Sequence, residues 1–137
     1  NKIDAFYQQW FKVLNPKESA VIQLLSFTKD LAIFAEKKLK IDVIKVVYKS
    51  HINKSLHTSK FLIDENRPYY QIICHIIKNG QDKGEFRNDL TTIEITRLFT
   101  RWIRSILYDW CLYDGGFNLE QEFTDNFELF ITIIKEK

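Results

Sequence analysis

The sequence predicts an all-α fold in which six helices form a single domain. Apolar residues recur at spacings of three and four along six segments, which is the period of an amphipathic helix. No segment of useful length alternates apolar and polar residues as a half-buried strand does. At 137 residues the chain is long enough for one hydrophobic core. The expected helices lie at about 2–14, 17–38, 43–57, 67–83, 92–113 and 119–136.

The first two expected helices meet at Asn15 and Pro16. The first helix carries an apolar stripe made of Ile3, Phe6, Tyr7, Trp10, Val13 and Leu14. Asn15 can cap the second helix, Pro16 fits its first turn because a missing N–H costs nothing there, and Glu18 completes a capping box. The second helix is expected to bury Leu24, Leu25, Phe27, Leu31 and Phe34.

Asp42 can cap a third helix, and Pro68 fits the first turn of a fourth. The third helix should end near 57–60, where polar residues cluster. Gly80 and Gly84 are expected to close the fourth helix. The apolar positions of these two helices are Val43, Val46, Val47, Tyr48, Tyr69, Ile72, Ile73, Ile76 and Ile77.

The last two expected helices carry the most apolar surface of the chain. Thr91 and Glu94 form a capping box for the fifth helix, and Asn118 can cap the sixth. Gly115 and Gly116 should end the fifth helix because glycine readily takes up the left-handed conformation. The apolar side chains are Ile95, Leu98, Phe99, Trp102, Ile103, Ile106, Leu107, Trp110, Cys111, Phe123, Phe127, Phe130 and Ile134. Those of the fifth helix cover two adjoining stripes, and the two helices together carry more apolar surface than one chain is expected to bury.

Composition argues against a membrane-spanning or secreted protein. Charged or amide side chains interrupt every long apolar window, and the first residues lack the apolar run of a signal peptide. Cys74 and Cys111 have no metal-type or disulfide-framework spacing, so we expect two reduced, buried thiols in a cytoplasmic protein. The net charge is +2, but 37–60 holds seven lysines and one acid, while 109–137 holds seven acids and two lysines. Such asymmetry can mark a nucleic-acid contact, although a solvated helix face is the simpler explanation.

The turn between the fourth and fifth helices resembles a turn found in the C-terminal domain of TetR-family transcriptional regulators. It reads GQDKGEFRNDL from Gly80 to Leu90, and a capped apolar helix follows it. Gly84 ends a helix, while Phe86 and Leu90 place apolar side chains under the bend. The order and lengths of the helices also look like helices four to nine of that family. The resemblance therefore implies a six-helix TetR-type C-terminal regulatory domain.

The DNA-binding part of such a regulator is not recognisable in this sequence. TetR-type proteins begin with a helix-turn-helix head whose tight turn usually carries Gly, yet all four glycines here lie at or after Gly80. The sequence begins with Asn1 and contains no Met. We therefore expect the head to belong to a longer parent protein, which would contact operator DNA and most simply act as a repressor.

The resemblance implies a homodimer, because the family pairs two subunits through the last two helices in a four-helix interface. The residues expected in this interface are Leu98, Trp102, Ile106, Phe123, Phe127, Phe130 and Ile134. The alternative is that both apolar stripes pack inside one monomer. A large uncovered apolar patch is uncommon on a soluble domain, and this favours pairing.

The resemblance also implies that the domain senses a small hydrophobic effector. Aromatic walls with a few polar groups suit such a ligand. The candidate pocket residues are Trp10, Phe11, Phe27, Phe34, Tyr69, Tyr70, His75 and Trp110. For each aromatic taken alone, plain core packing is the simpler explanation. Arg97, Arg101 and Arg104 share one helix face and could hold an anionic group, although such a row more often is solvated or pairs with acids.

An enzyme is the competing class, and the sequence gives it little support. His51 and His57 are six residues apart, so a helix would point them in different directions. Cys74 and His75 diverge by about 100° on a helix, which does not suit a nucleophile and its base. No phosphate-binding loop is present, and we expect no catalytic residue, metal or cofactor. A helical adaptor that binds another protein through the same apolar face is the remaining alternative.

Overall fold

The computed structural model describes residues 2–53 and 62–136, and it places them in a bundle of helices. The α-helices are α1 (Lys2–Lys12), α2 (Ala20–Phe34), α3 (Lys40–Ile52), α4 (Pro68–Asp82), α5 (Thr92–Leu112) and α6 (Leu119–Ile134). The described residues form no β-strand, and one isolated bridge pairs Phe86 with Lys135. The all-α prediction is confirmed. None of the described helices is long and apolar enough to cross a membrane.

Helices α2 and α3 follow each other without a loop. Residues Ala35–Leu39 form a π-helical turn, and α3 begins directly after it. Lys40 at this junction has a φ of 68°, a region that favours glycine and costs other residues about 1–3 kcal/mol. The two helices are one bent helical run, so the expected count of six separate helices is not confirmed for the described residues. Asp42, expected as a cap, lies inside the first turn of α3, because no Gly or Pro interrupts the run.

The start of α2 differs from the sequence prediction. The capping box expected at Asn15 and Glu18 is wrong: residues 15–18 form a turn in which the Glu18 N–H donates to the Asn15 carbonyl at 3.1 Å. The helix begins at Ala20 instead, and Ser19 at the N-cap position makes no capping bond with its side chain. The first N–H groups of α2 are satisfied by a residue from another part of the chain.

That residue is Glu85, which lies in the turn between α4 and α5. Its carboxylate accepts the backbone N–H groups of Ala20 at 3.0 Å and Val21 at 3.3 Å. It also accepts the Ser19 hydroxyl at 2.6 Å. An anion at this position satisfies donors that have no partner within the helix and opposes the positive end of the helix dipole. The turn thus fixes where α2 begins.

The rest of the turn ties α4 to the end of α6. Gly84 has a φ of 78°, and the fully buried ring of Phe86 folds back against Gly80. The Arg87 N–H donates to the Ile134 carbonyl at 2.8 Å. One short segment therefore joins the start of α2, the end of α4 and the end of α6.

The capping box predicted at Thr91 is confirmed. The Glu94 N–H donates to the Thr91 hydroxyl at 3.1 Å, and the Thr91 N–H donates to the Glu94 carboxylate at 2.9 Å. Asn118 caps α6 by accepting the Gln121 N–H at 2.9 Å, as predicted. Between these helices Gly115 takes a φ of 77°, the left-handed conformation that was expected of it.

The core lies mainly where α2, α4, α5 and α6 meet. Its largest fully buried side chains include Phe27, Phe86, Phe99, Phe123, Phe127, Phe130, Leu24, Ile72, Ile73, Ile76, Ile77 and Ile95. Only Ile44 and Tyr48 of α3 are buried, so this helix is held by fewer core side chains than its neighbours. This difference bears on the cavity that α3 helps to enclose.

Candidate functional site

A cavity of about 70 Å³ lies between the first five helices. Its wall takes side chains from α1, α2, α3, α4 and α5 and from the segment that leads into α4. The lining residues are Ile3, Tyr7, Leu31, Tyr48, Leu62, Arg67, Tyr69, Ile103, Arg104 and Leu107. The wall is mostly apolar, with phenol and guanidinium groups as its polar parts, which is the usual make-up of a small-molecule site.

Helical spacing brings the aromatic side of the cavity together. Tyr7 is the buried residue of α1, and its ring centroid lies 5.2 Å from that of Tyr69 on α4. Phe27 of α2 lies behind both rings, with its centroid 6.1 Å from Tyr7 and 6.5 Å from Tyr69. Because Phe27 is fully buried and interiors are close-packed, this side of the wall is rigid.

Burial raises the pKa of the three tyrosines that line the cavity, Tyr7, Tyr48 and Tyr69. The positive charge of Arg67 opposes this rise for the pKa of Tyr7, and that of Arg104 opposes it for Tyr48 and Tyr69, but burial prevails. All three hydroxyls are therefore protonated at neutral pH. The Tyr48 hydroxyl donates to the Arg104 carbonyl at 3.1 Å, whereas those of Tyr7 and Tyr69 make no hydrogen bond within 2–53 and 62–136.

The two guanidinium groups of the wall are held differently. Arg67 forms an ion pair with Asp4 of α1 at 2.6 Å, and both side chains are largely buried. This pair ties α1 to the start of α4. Arg104 donates to the Tyr70 hydroxyl at 2.6 Å and to the Leu62 carbonyl at 3.3 Å. Its described partners are thus neutral.

The structure separates the three arginines of the predicted row on α5. Arg97 pairs with Glu65 at 2.9 Å on the surface, and this bond is the main reason why the pKa of Glu65 is lowered. Arg101 is exposed. Arg104 alone of the three lines the cavity. One face of a helix thus divides into a surface ion pair, a solvated charge and a cavity residue.

The eight pocket candidates from the sequence do not gather around one cavity. Tyr69 lines it, and Phe27 and Tyr70 lie directly behind its wall, through the ring contacts of Phe27 and the bond from Arg104 to Tyr70. Tyr70 and His75 line an open groove between α4 and α5. The candidate residues on α4 are therefore divided between the enclosed cavity, which Tyr69 lines, and the open groove, which Tyr70 and His75 line.

The other candidates lie farther out. Trp10 and Phe34 line a shallow groove between α1 and α2, where the Trp10 indole N–H donates to Asp30 at 2.9 Å. Phe11 is 43% exposed, and its ring lies 5.3 Å from that of His75. Trp110 is buried near the end of α5, where its indole N–H donates to the Phe117 carbonyl at 3.2 Å.

Sequence reasoning missed most of the cavity residues, although several stood on predicted apolar stripes. Ile3 and Tyr7 are four residues apart on α1, and Ile103 and Leu107 are four apart on α5. Periodicity indicates that such side chains face inward, but it does not show where facing helices leave a gap. Arg104 also lines the cavity, although the sequence suggested it only as one of three arginines that could hold an anionic group.

The expected dimer-interface residues divide into two groups. Phe123, Phe127, Phe130 and Ile134 are buried inside the single chain, at 1% exposure or less. Leu98, Trp102 and Ile106 are half-buried along one side of α5. The ring of Trp102 covers Phe130, at a centroid distance of 5.1 Å.

Apolar residues remain exposed on the outer side of α6. Leu129 is 57% exposed and Ile133 is 40% exposed, and the two lie one helical turn apart. These two side chains are exposed, whereas Phe123, Phe127, Phe130 and Ile134 fill the core of the single chain. The phenylalanines of α6 were expected in a dimer interface because an apolar stripe in a sequence does not show whether its side chains are buried within one chain or between two.

The described residues contain no group of three or more His, Cys, Asp or Glu that could hold a metal ion. Cys74 and Cys111 are free and half-buried. Burial raises the pKa of the Cys111 thiol, an effect that Lys45 opposes. His57 lies outside the described residues, so its expected separation from His51 has no structural outcome.

A family model matches this chain. The model of a TetR-type family, described as YsiA-like protein, C-terminal region, matches residues 1–133, which is nearly the whole chain. No curated protein and no solved structure matches the chain.

Proposed function

Because the chain belongs to the family of YsiA-like C-terminal regions of TetR-type regulators, we propose that it binds a small effector in the cavity between α1, α2, α3, α4 and α5. The observation that carries this proposal is the cavity itself. All five helices contribute side chains to its wall, and the polar groups of the wall are tyrosine hydroxyls and arginine guanidinium groups. The family is regulatory. The C-terminal domain of a regulator needs a ligand site from which binding can change the rest of the protein.

The proposed route of transmission runs through α1. Ile3 and Tyr7 of this helix touch the cavity, and Asp4 between them pairs with Arg67 at 2.6 Å. A ligand that moves this wall changes the tilt of α1 relative to α4. It shifts the balance between two arrangements only by the difference in its affinity for them, about 1.4 kcal/mol for each tenfold ratio.

The cavity has to widen for any sizeable effector. Its 70 Å³ is well below the roughly 300–1,000 Å³ of most ligand pockets. Helix α3 is the part of the wall best suited to move, because only Ile44 and Tyr48 anchor it in the core and because it starts at the strained Lys40. We therefore propose that the effector pushes α3 outward.

DNA binding is proposed for another part of the same regulator. The matched family is described as a C-terminal region, so we assign operator contact, most simply in repression, to an N-terminal helix-turn-helix head. We further propose that two copies of this domain pair through α5 and α6, using Leu98, Trp102, Ile106, Leu129 and Ile133. This surface keeps the three α5 residues expected from the sequence. Leu129 and Ile133 take the place of the buried α6 residues, because their side chains remain exposed.

The experiment that tests the effector site uses neutral apolar probes and a variant with a filled cavity. Benzene, toluene and indole are added to the wild-type protein and to Leu107→Phe, and thermal unfolding is recorded. Ligands that bind only the folded state raise the unfolding temperature. We expect at least one probe to stabilise the wild type and to lose this effect in Leu107→Phe. Stabilisation of neither protein, or of both alike, would contradict the site.

A further inference from the structure

The charge balance of the cavity wall indicates the chemical class of the ligand. Two guanidinium groups line the wall, from Arg67 and Arg104, and one carboxylate, that of Asp4, pairs with Arg67. Arg67 is neutralised by this carboxylate at 2.6 Å. Arg104 forms no ion pair with any described residue. Within residues 2–53 and 62–136, the positive charge of Arg104 therefore has no ion-pair partner.

The side chain of Arg104 is half-buried and points its donors at neutral groups. One terminal nitrogen donates to the Tyr70 hydroxyl at 2.6 Å and to the Leu62 carbonyl at 3.3 Å. The Tyr70 hydroxyl in turn donates to the same carbonyl at 2.9 Å. These bonds fix the position of the guanidinium without supplying negative charge. Removing a cation from water without a counter-ion is unfavourable, so an anion that enters the cavity gains a partner already in place.

The neighbouring hydroxyl groups have the right polarity for an anion. Tyr7 and Tyr69 line the same cavity, are protonated at neutral pH, and make no hydrogen bond within the described part of the chain. A phenol O–H can donate to an anionic oxygen. The apolar part of the lining includes Leu31, Ile103 and Leu107.

We propose that the effector is an organic acid whose anionic group pairs with Arg104 while its apolar part lies against Leu31, Ile103 and Leu107. This inference rests on the proposed function, because it assigns the ligand class of the same cavity. Arg104 acts here as a specificity residue. The bidentate geometry of a guanidinium and a carboxylate makes arginine more selective than a point charge would be.

The test compares acids with amides of the same shape. Benzoate is paired with benzamide, and octanoate with octanamide, so that each pair differs in charge and hardly in size. Affinity for the wild-type protein is measured by isothermal titration calorimetry or by ligand-observed NMR. We expect at least one acid to bind tenfold or more tightly than its amide, and this preference to weaken as salt concentration rises.

Two variants locate the preference. Arg104→Gln should reduce the acid-to-amide ratio to near one, mainly by lowering the affinity for the acid. Arg101→Gln is the matched control, since it removes an exposed arginine one helical turn away and should keep the ratio. If Arg104→Gln does not fold, Arg104→Lys keeps the charge and should lower the ratio only in part. The comparison of acids with amides on the wild-type protein tests the proposal even if no Arg104 variant folds.

The outcomes separate the two proposals. Equal binding of acid and amide, or a preference that survives Arg104→Gln, overturns the organic-acid inference while the cavity still binds ligands. Binding of none of the four compounds, together with no stabilisation by benzene, toluene or indole, overturns the effector site itself. A preference for acids that disappears only in Arg101→Gln would place the anion on the outer face of α5 and would also overturn the inference.

Discussion

The carboxylate of Glu85 caps the amino end of α2 by accepting the backbone N–H of Ala20 at 3.0 Å, across 65 residues of sequence. This contact explains why the turn that resembles the TetR-type motif carries a glutamate. The Glu85 side chain accepts the free N–H groups at the start of α2, as a neighbouring cap residue usually does. It also holds the α4–α5 turn against α2, the helix that supplies Leu31 to the cavity wall. The motif therefore acts as a structural junction.

Replacing Glu85 with alanine should lower the free energy of unfolding by about 1 kcal/mol, the usual cost of losing a helix cap. The N–H groups of Ala20 and Val21 would lose their acceptor. Urea unfolding followed by circular dichroism measures the change. Glu128→Ala is the matched control, because Glu128 is an exposed residue of α6 without such a role. Equal stability of the two variants would show that the cap contributes nothing.

The same contact predicts a dependence on pH. Burial raises the pKa of Glu85, but the bonds from Ser19, Ala20 and Val21 outweigh it and hold that pKa below the ordinary value. A carboxyl group with a lowered pKa in the folded state stabilises the fold above its unfolded pKa of about 4.3, and this contribution disappears as pH falls through the folded value. The stability gap between wild type and Glu85→Gln should therefore shrink on going from about pH 6 to about pH 3. A gap that stays constant over this range would contradict the account.

Gly80→Ala should destabilise the protein although the position lies inside α4, where alanine is favoured over glycine by about 1 kcal/mol. An added Cβ would lie 2.2 Å from Cδ2 of Phe86 and 3.0 Å from Cβ of Ala20. Phe86 is fully buried and cannot move aside, so the clash outweighs the propensity and the net loss should be about 1–2 kcal/mol. Thermal or urea unfolding tests this.

A second glycine distinguishes steric from backbone effects. Gly84 has open space around it but a φ of 78°, so Gly84→Ala should cost about 1 kcal/mol through backbone strain alone. Adding Phe86→Leu should recover part of the loss in Gly80→Ala, because the nearest clashing atoms belong to the ring. It should recover none in Gly84→Ala. Recovery in both backgrounds would show that Phe86 does not cause the clash at Gly80.

Lys40→Gly should raise the free energy of unfolding by about 1 kcal/mol, because glycine adopts a φ of 68° without strain. Lys49→Gly, at an exposed site within α3, is the control and should lower it by a similar amount through lost helix propensity. Chemical unfolding of both variants gives the comparison. Equal destabilisation by the two substitutions would mean that the α2–α3 junction carries no strain.

Local signals in the sequence predicted local structure well. The capping box of Thr91 and Glu94 lies within four residues, and the cap formed by Asn118 acts on Gln121. Both were predictable because donor and acceptor are close in the chain. The start of α2 was not, since its acceptor, Glu85, comes from a distant turn, while a nearby Asn-Pro pair offered a plausible local cap that the chain uses as a turn.

The cavity was harder to predict than the helices around it. An apolar period indicates which side chains face inward, and it selected Phe27 and Phe34 as well as Tyr69. Which of them border empty space depends on how five helices pack, and above all on α3, whose continuity with α2 no Gly or Pro signalled. The charge of Arg104 stood out in the sequence, but its missing counter-ion became visible only with the positions of Asp4 and Arg67.

Pairing through α5 and α6 can be measured without knowledge of the effector, and it tests the proposed role most directly. Sedimentation equilibrium of the wild-type chain at high micromolar concentration should give the mass of a dimer. The double variant Leu129→Glu and Ile133→Glu should give a folded monomer, because it places charges on the exposed apolar side of α6. Val13→Glu, at an apolar residue 68% exposed just after α1, should remain a dimer. A wild-type monomer at that concentration, or a double variant that still pairs, would contradict the account.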